Sequence, residues 1–272
     1  MLCNVEMGRI YYEIYGEGFP VLLLHGMGTD HRSMKAWAEP IYENIKGFQR
    51  VYIDLPAHGK STIDEGLKTT NDMLTNILEF IDKVLPNSRF LLIGSSFGGY
   101  LAQGILHSKR EQVKGVCLLA PVLHLKERNL PEKVVLERDE GLNREWDDDC
   151  KNAFRTLFVH QSKINFDCFM NEIQPGRLLA NKDFLASSWR EKGYLLSEEP
   201  LNDVPSLPHH ALIILGRHDS ICGYKDHFFL LDKLPNSTVA ILDGAGHMLQ
   251  VENREIVREL VKDWLNKISI NL

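Results

Sequence analysis

With 272 residues, 44% of them hydrophobic and 25% charged, the chain has an ordinary globular composition and enough length to bury one large core. Its 31 Lys and Arg against 37 Asp and Glu leave a formal charge of −6, with no basic block that could neutralise a phosphate backbone or an anionic lipid surface. Nucleic acid is thereby set aside as a partner, and a small molecule is expected instead.

The N-terminal stretch "MLCNVEMGRIYYE" lacks the positively charged start and the apolar run of a signal peptide. The longest aliphatic runs elsewhere fall far short of a membrane span, so no membrane insertion is expected. A cytoplasmic monomer or homodimer follows as the expectation. Cys3, Cys117, Cys150, Cys168 and Cys222 are odd in number, widely spaced and without a CxxC pair, which suggests neither a disulfide framework nor a zinc knuckle.

Short aliphatic runs recur in chain order as "RIYYEIYG", "VLLLHG", "RVYIDLP", "RFLLIGS", "VKGVCLLAP", "ALIILGRHD" and "TVAILDGAG". Their length and near-continuous hydrophobicity predict strands buried on both faces, hence a mainly parallel sheet. Helical patterns lie between them. In "NDMLTNILEFIDKVL", Leu74, Ile77, Leu78, Ile81 and Leu85 return at three- and four-residue steps, with Thr70 or Asn71 as the expected N-cap. "LPNS" follows this helix at 85–88 and recurs at 234–237, each time ahead of a strand, where Pro and Asn stop a helix and turn the chain. From about Val122 to about Pro208 the buried strands disappear. The sequence there turns charged, as in "LKERNLPEKVVLERDEGLNREWDDDC", and keeps helical runs such as "KNAFRTLFVHQ" and "DFLASSWREKGYLL". This is read as a helical insertion on one face of the sheet, its charges on a solvated helix face. A last helical stripe joins Ile256, Val257, Leu260, Val261, Trp264, Leu265 and Ile268. The whole is an α/β sheet with helices on both faces, and such sheets carry their sites at the carboxyl ends of strands.

In "LLIGSSFGGYLAQG", residues 91–104, two serines compete. A nucleophile on a sharp strand-to-helix turn needs glycine two residues before and after it, because side chains there would clash as the backbone doubles back. Ser96 has Gly94 and Gly98, whereas Ser95 has Ile93 and Phe97. The spacing selects Ser96, and Gly99 lets the following helix pack close to the sheet.

A serine hydroxyl needs a base to take its proton and a carboxylate to hold that base. "LDGAGHML" offers His247 after the last strand, and "LGRHDSI" offers Asp219 after the preceding one. Asp219 is chosen over Asp54 and Asp243 because it precedes the histidine by a full strand-helix-strand unit. "LLLHGMGTD" places His25-Gly26-Met27-Gly28 after an earlier strand, so the backbone N–H groups of Met27 and Phe97 are the expected oxyanion donors. His25 is assigned no chemical step. None of the eleven histidines falls in an HExxH or similar spacing, so neither a metal nor a cofactor is expected.

Five ordered elements resemble the α/β-hydrolase family: the HG loop at 25–28, "DLPAHGKS" at 54–61, the elbow at 94–99, "GRHD" at 216–219 and "GAGH" at 244–247. Ala57 departs from the pattern, since the family's turn more often has Gly there. The resemblance implies a core of residues 1–121 and 209–272, with 122–208 as a helical cap roofing the pocket. It implies a lining drawn from Met27, Phe97, Trp189, Tyr194 and Met248, although a cap needs aromatics for its own core as well. Arg190 is placed to bind a carboxylate, as in relatives that cleave carbon-carbon bonds. Dehalogenases and epoxide hydrolases of the family, which use aspartate at the elbow, are excluded by Ser96. The leading expectation is a serine hydrolase that cleaves a small ester or related acyl substrate through an acyl-enzyme on Ser96. A carbon-carbon bond hydrolase or cofactor-free perhydrolase on the same triad is the enzymatic alternative, and a non-catalytic ligand receptor the other.

Overall fold

The computed structural model describes residues 1–143, 147–204 and 206–269. Strands form at Leu2–Val5 (β1), Gly8–Tyr15 (β2), Phe19–Leu24 (β3), Phe48–Ile53 (β4), Thr62–Ile63 (β5), Phe90–Ser95 (β6) and Val113–Leu119 (β7). Two-residue strands follow at Glu137–Arg138 (β8) and His160–Gln161 (β9), then His210–Gly216 (β10) and Ser237–Leu242 (β11). The main sheet has the order β1-β2-β4-β3-β6-β7-β10-β11, with β5 added to β2 and β8 pairing β9 separately. From β4 to β11 all neighbours are parallel.

The β1, β2 and β5 edge is antiparallel. "RIYYEIYG" is therefore not a doubly buried parallel strand: most of β2 is only half-buried. Its run of Tyr and Glu suits a strand with one face near water, where the aliphatic runs of β3, β6 and β10 do not.

Successive residues of a strand point to opposite faces, and the aliphatic runs consequently feed two cores. Leu22, Leu24 and Leu92 pack with Met73, Ile77, Phe80 and Ile81 of Thr70–Val84 (after α1, His31–Ala38, this is α2) and with Leu101 and Ile105 of Phe97–Ser108 (α3). Val21, Leu23, Leu91 and Ile93 pack on the other face with Trp37 of α1 and with Val257, Val261, Trp264 and Leu265 of the C-terminal helix. Ile256, assigned to that stripe, is instead half exposed.

Helix α2 is capped by Thr69, not by Thr70 or Asn71. Thr69 Oγ1 accepts the Asp72 N–H at 3.2 Å, and Asp72 Oδ2 accepts the Thr69 N–H at 2.7 Å. A carboxylate at the third helical position completes this capping box, and only Thr69 stands three residues before Asp72. The freed Thr70 hydroxyl donates to the Tyr194 carbonyl at 2.7 Å and so ties the inserted region to α2.

Between β7 and β10 lie Asp148–Leu157 (α4), Lys163–Cys168 (α5), Gln174–Leu179 (α6), Lys182–Leu185 (α7) and Trp189–Lys192 (α8). Phe229–Lys233 (α9), Leu249–Glu252 (α10) and Arg254–Ser269 (α11) complete the chain. A third core holds Phe154, Phe158, Phe166 and Phe169 together with Met248 and Val251. The charged run at 125–150 is not one helix face in its described part: residues 126–136 have no regular structure, a single 3-10 turn spans Glu140–Asn143 and α4 begins only at Asp148, residues 144–146 lying outside the described ones. Pro131 interrupts any helix there, and Leu130, Val135 and Leu136 do not recur at a helical spacing and stay exposed. All five cysteines are free, and among the described residues no helix is long and apolar enough to cross a membrane.

Ala57 stands at φ +66°, in the left-handed region where a Cβ crowds the following carbonyl. Ala57→Gly relieves this penalty while loosening the unfolded chain, so a net gain of roughly 0.5 kcal/mol is expected. A urea titration should show the midpoint rising, and a fall would mean that the turn bears no strain.

Candidate active site

The turn from β6 into α3 places Ser96 at φ +52° and ψ −117°, a conformation of non-glycine residues that costs on the order of 1–3 kcal/mol and persists only when its surroundings fix it. They do so here. Ser96 N–H donates to the Leu119 carbonyl at 2.9 Å, and the Ser96 carbonyl accepts from Tyr100 N–H at 3.1 Å and Val122 N–H at 3.0 Å. A Cβ on Gly94 would stand 2.6 Å from the Gly98 carbonyl oxygen, and one on Gly98 would collide with the carbonyls of Leu24 and His25. Ser95 remains in the strand, opposite Leu119.

Ser96, Asp219 and His247 are brought together. His247 Nε2 lies 2.9 Å from Ser96 Oγ, and its Nδ1 lies 2.9 Å from Asp219 Oδ2. The other oxygen, Asp219 Oδ1, accepts the N–H groups of Ile221 at 2.8 Å and Cys222 at 3.0 Å, which fixes the plane of the carboxylate. Burial alone would raise the Asp219 carboxyl, but the facing imidazole and the two N–H donors hold it below its ordinary value. Burial likewise opposes charge on His247, yet the Asp219 carboxylate outweighs it and raises the ring well above the ordinary histidine value.

The rival acids are engaged elsewhere. Asp54 is fully buried and accepts from the His31 N–H at 2.9 Å, from the Lys60 N–H at 2.8 Å and from His31 Nδ1 at 2.7 Å. Asp243 is 90% exposed beside Arg217 and His218. His25 is fully buried: its Nε2 accepts the Leu55 N–H at 2.9 Å and its Nδ1 donates to the Gly26 carbonyl at 2.7 Å, which anchors the loop that follows. That loop runs close beside the serine, since a Cβ on Gly26 would stand 3.3 Å from Ser96 Cβ. Phe97 opens α3, so its N–H is one of the helix's orphan donors, and Met27 lies on the wall of the same cavity as Ser96.

This cavity has a volume of about 660 Å3 and is lined by Ser96, His247, Met27, Val122, Leu157, Leu185, Arg190, Tyr194 and Ile221, among others. Trp189 is not on its wall. It is buried edge-on to Phe97 and Tyr194, with ring centroids at 5.7 and 5.4 Å, where it seats the inserted region on α3. The Phe97 ring stacks on Tyr194 at 5.6 Å and is fully buried as well. Met248 belongs to the phenylalanine core. In each case an apolar side chain near the site found a core to fill, as a small inserted layer requires.

Three lining cations have no counterpart in the sequence reading: Arg128, Arg177 and Lys182. They lie in stretches whose charges read as solvated surface, and no local pattern separates them from their neighbours. Arg128 Nη1 donates to the Ile221 carbonyl at 3.0 Å, and Arg177 Nη2 pairs with Asp149 at 2.9 Å. Lys182 and Arg190 have no ion-pair partner among the described residues. Four cations and one carboxylate thus line the cavity, which leaves an excess of positive charge on the wall that includes Ser96.

The model of the Alpha/beta hydrolase family matches residues 21–260. A 2-hydroxymuconate semialdehyde hydrolase of Pseudomonas putida is 27% identical over 273 residues, spanning 92% of this chain and 88% of that one. The crystal structure of an alpha/beta superfamily hydrolase from Oenococcus oeni superposes with a TM-score of 0.88 at 26% identity, covering 99% of each chain. A thermophilic esterase from Thermogutta terrifontis shares the fold at a TM-score of 0.71 and 20% identity, covering 98% of this chain and 99% of that one. The family match takes in the parallel part of the sheet, the elbow and the inserted helices alike, and the chain belongs to the alpha/beta hydrolase family.

Proposed function

We propose that the protein is a serine hydrolase that cleaves a small ester or related acyl substrate carrying a carboxylate. The observation that carries this reading is the continuous line from Asp219 through His247 to Ser96 Oγ, with 2.9 Å at both links, opening on a cavity. His247 Nε2 takes the Ser96 proton as Oγ bonds to the substrate carbonyl carbon, and the N–H groups of Met27 and Phe97 hold the oxyanion. The protonated ring then gives its proton to the departing group as that bond breaks. Water, deprotonated by the same ring, later frees the acid and restores Ser96. Residues 122–208 act as the cap over this site.

The excess of cations supports the acidic substrate, because a carboxylate there meets Lys182 and Arg190, which have no ion-pair partner among the described residues. Arg190→Met and Lys182→Met should each lower kcat/KM for an ω-carboxylated nitrophenyl ester by about tenfold, while the neutral ester of equal length changes less than about twofold. Equal losses on both esters would remove the two cations from substrate selection. Labelling with a fluorophosphonate, followed by neutral and carboxylated nitrophenyl esters of rising length, tests the reading as a whole. A protein that takes no label is a ligand receptor instead.

Carbon-carbon bond hydrolysis is the second reading, favoured by the sequence likeness to the Pseudomonas putida hydrolase together with the same cations. Cleavage of a vinylogous 1,5-diketo acid, followed by loss of its near-visible absorbance, separates it from ester hydrolysis.

A further inference from the structure

Five residues beyond His247, Glu252 closes α10 with its carboxylate largely buried. Its Oε2 accepts the N–H of Gly246, the residue before the histidine, at 2.8 Å. Its Oε1 accepts two consecutive N–H groups of the inserted region, Val159 at 2.7 Å and His160 at 2.9 Å. The two segments also touch directly, since a Cβ on Gly246 would stand 2.9 Å from Val159 Cγ1. On the far side of the histidine, Met248 and Val251 are built into the core of Phe154 and Phe158. His247 therefore sits on a loop whose two flanks are both held by the inserted region.

Three converging N–H donors require a group that only accepts. An ionised carboxylate has two oxygens and no hydrogen to turn toward them, whereas an amide must present its NH2 to one side and lose that side's bonds. Burial raises the Glu252 carboxyl above its ordinary value despite those donors, so the group is retained there against a desolvation cost.

We infer that Glu252 is a positioning residue that ties the Val159–His160 segment of the cap to the loop of His247, so that seating of the cap and placement of the imidazole are one event. The inference rests on the reading of His247 as the base for Ser96. A neighbouring tie supplies the control. Arg254 holds Glu172 in a two-pronged ion pair at 2.9 and 2.6 Å, joining the inserted region to α11 without touching the histidine loop.

Glu252→Gln should lower kcat for nitrophenyl acetate by about tenfold or more, the scale on which a small misplacement of a catalytic group acts, with KM within about twofold. The low-field proton signal of the His247 Nδ1–H donated to Asp219 should broaden or vanish in the same variant. Glu172→Gln should keep both kcat and that signal. In the unmutated protein, a phosphonate on Ser96 should slow amide exchange at Val159 and His160, a measurement that stands even where Glu252→Gln fails to fold. Wild-type kcat in Glu252→Gln, equal losses of kcat in both variants, or exchange at Val159 and His160 unmoved by the phosphonate would each overturn the inference. Failure of the wild type to take the phosphonate at all overturns instead the reading of Ser96 and His247 on which it rests.

Discussion

Ser96→Ala should abolish covalent labelling by a fluorophosphonate and lower kcat by about 10⁴- to 10⁶-fold, the range seen when a triad nucleophile or its base is removed. Ser95→Ala should leave labelling intact. The difference follows from one residue of backbone. Ser95 ends β6 in register with Leu119, while Ser96 is turned out of the strand at φ +52° with its Oγ 2.9 Å from His247 Nε2. Residual turnover in Ser96→Ala would reflect binding and the oxyanion donors alone. Loss of labelling in Ser95→Ala, with Ser96→Ala still labelled, would reverse the assignment.

The elbow was legible because its constraint is local: Gly94 and Gly98 are needed by backbone collisions within one turn, and a single sequence displays them. The doubly buried strands were legible for a similar reason, since β3, β6 and β10 each carry an unbroken run of buried aliphatic residues, Val21–Leu24, Leu91–Ile93 and Ala211–Leu215. What the sequence hid depends on partners far along the chain. Trp189 and Met248 look like lining residues until the cores they fill are seen, one against Phe97 and the other among the phenylalanines of the inserted region. Arg128, Arg177 and Lys182 look like surface charge until folding sets them around one cavity. Glu252 carries no local signal at all, because its role is defined by Val159 and His160, 93 and 92 positions away. The antiparallel start of the sheet is hard to see in the sequence because β2, aromatic and half-polar, has the length of the aliphatic strands but not their burial.

Asp219→Asn should cost on the order of 10⁴-fold in kcat, as in the serine-protease template, because an amide keeps the size of the side chain but favours the wrong tautomer and removes the charge that stabilises the imidazolium. The pH dependence gives a second reading of the same contact. The Asp219 carboxylate raises His247 well above the ordinary histidine value, so in the free enzyme kcat/KM should rise with pH as that proton leaves and Nε2 becomes free to accept. With the carboxylate gone, the largest cause that opposes burial is lost and the acidic limb should move to lower pH. Asp243→Asn should leave both rate and limb unchanged, its side chain being 90% exposed beside Arg217. Asp54→Asn should act through stability, because Asp54 is buried and accepts from His31 and Lys60, so its melting temperature should fall while the limb stays in place. A limb that shifts in Asp54→Asn or Asp243→Asn and not in Asp219→Asn, with circular dichroism showing each variant folded, would put a different carboxylate behind His247.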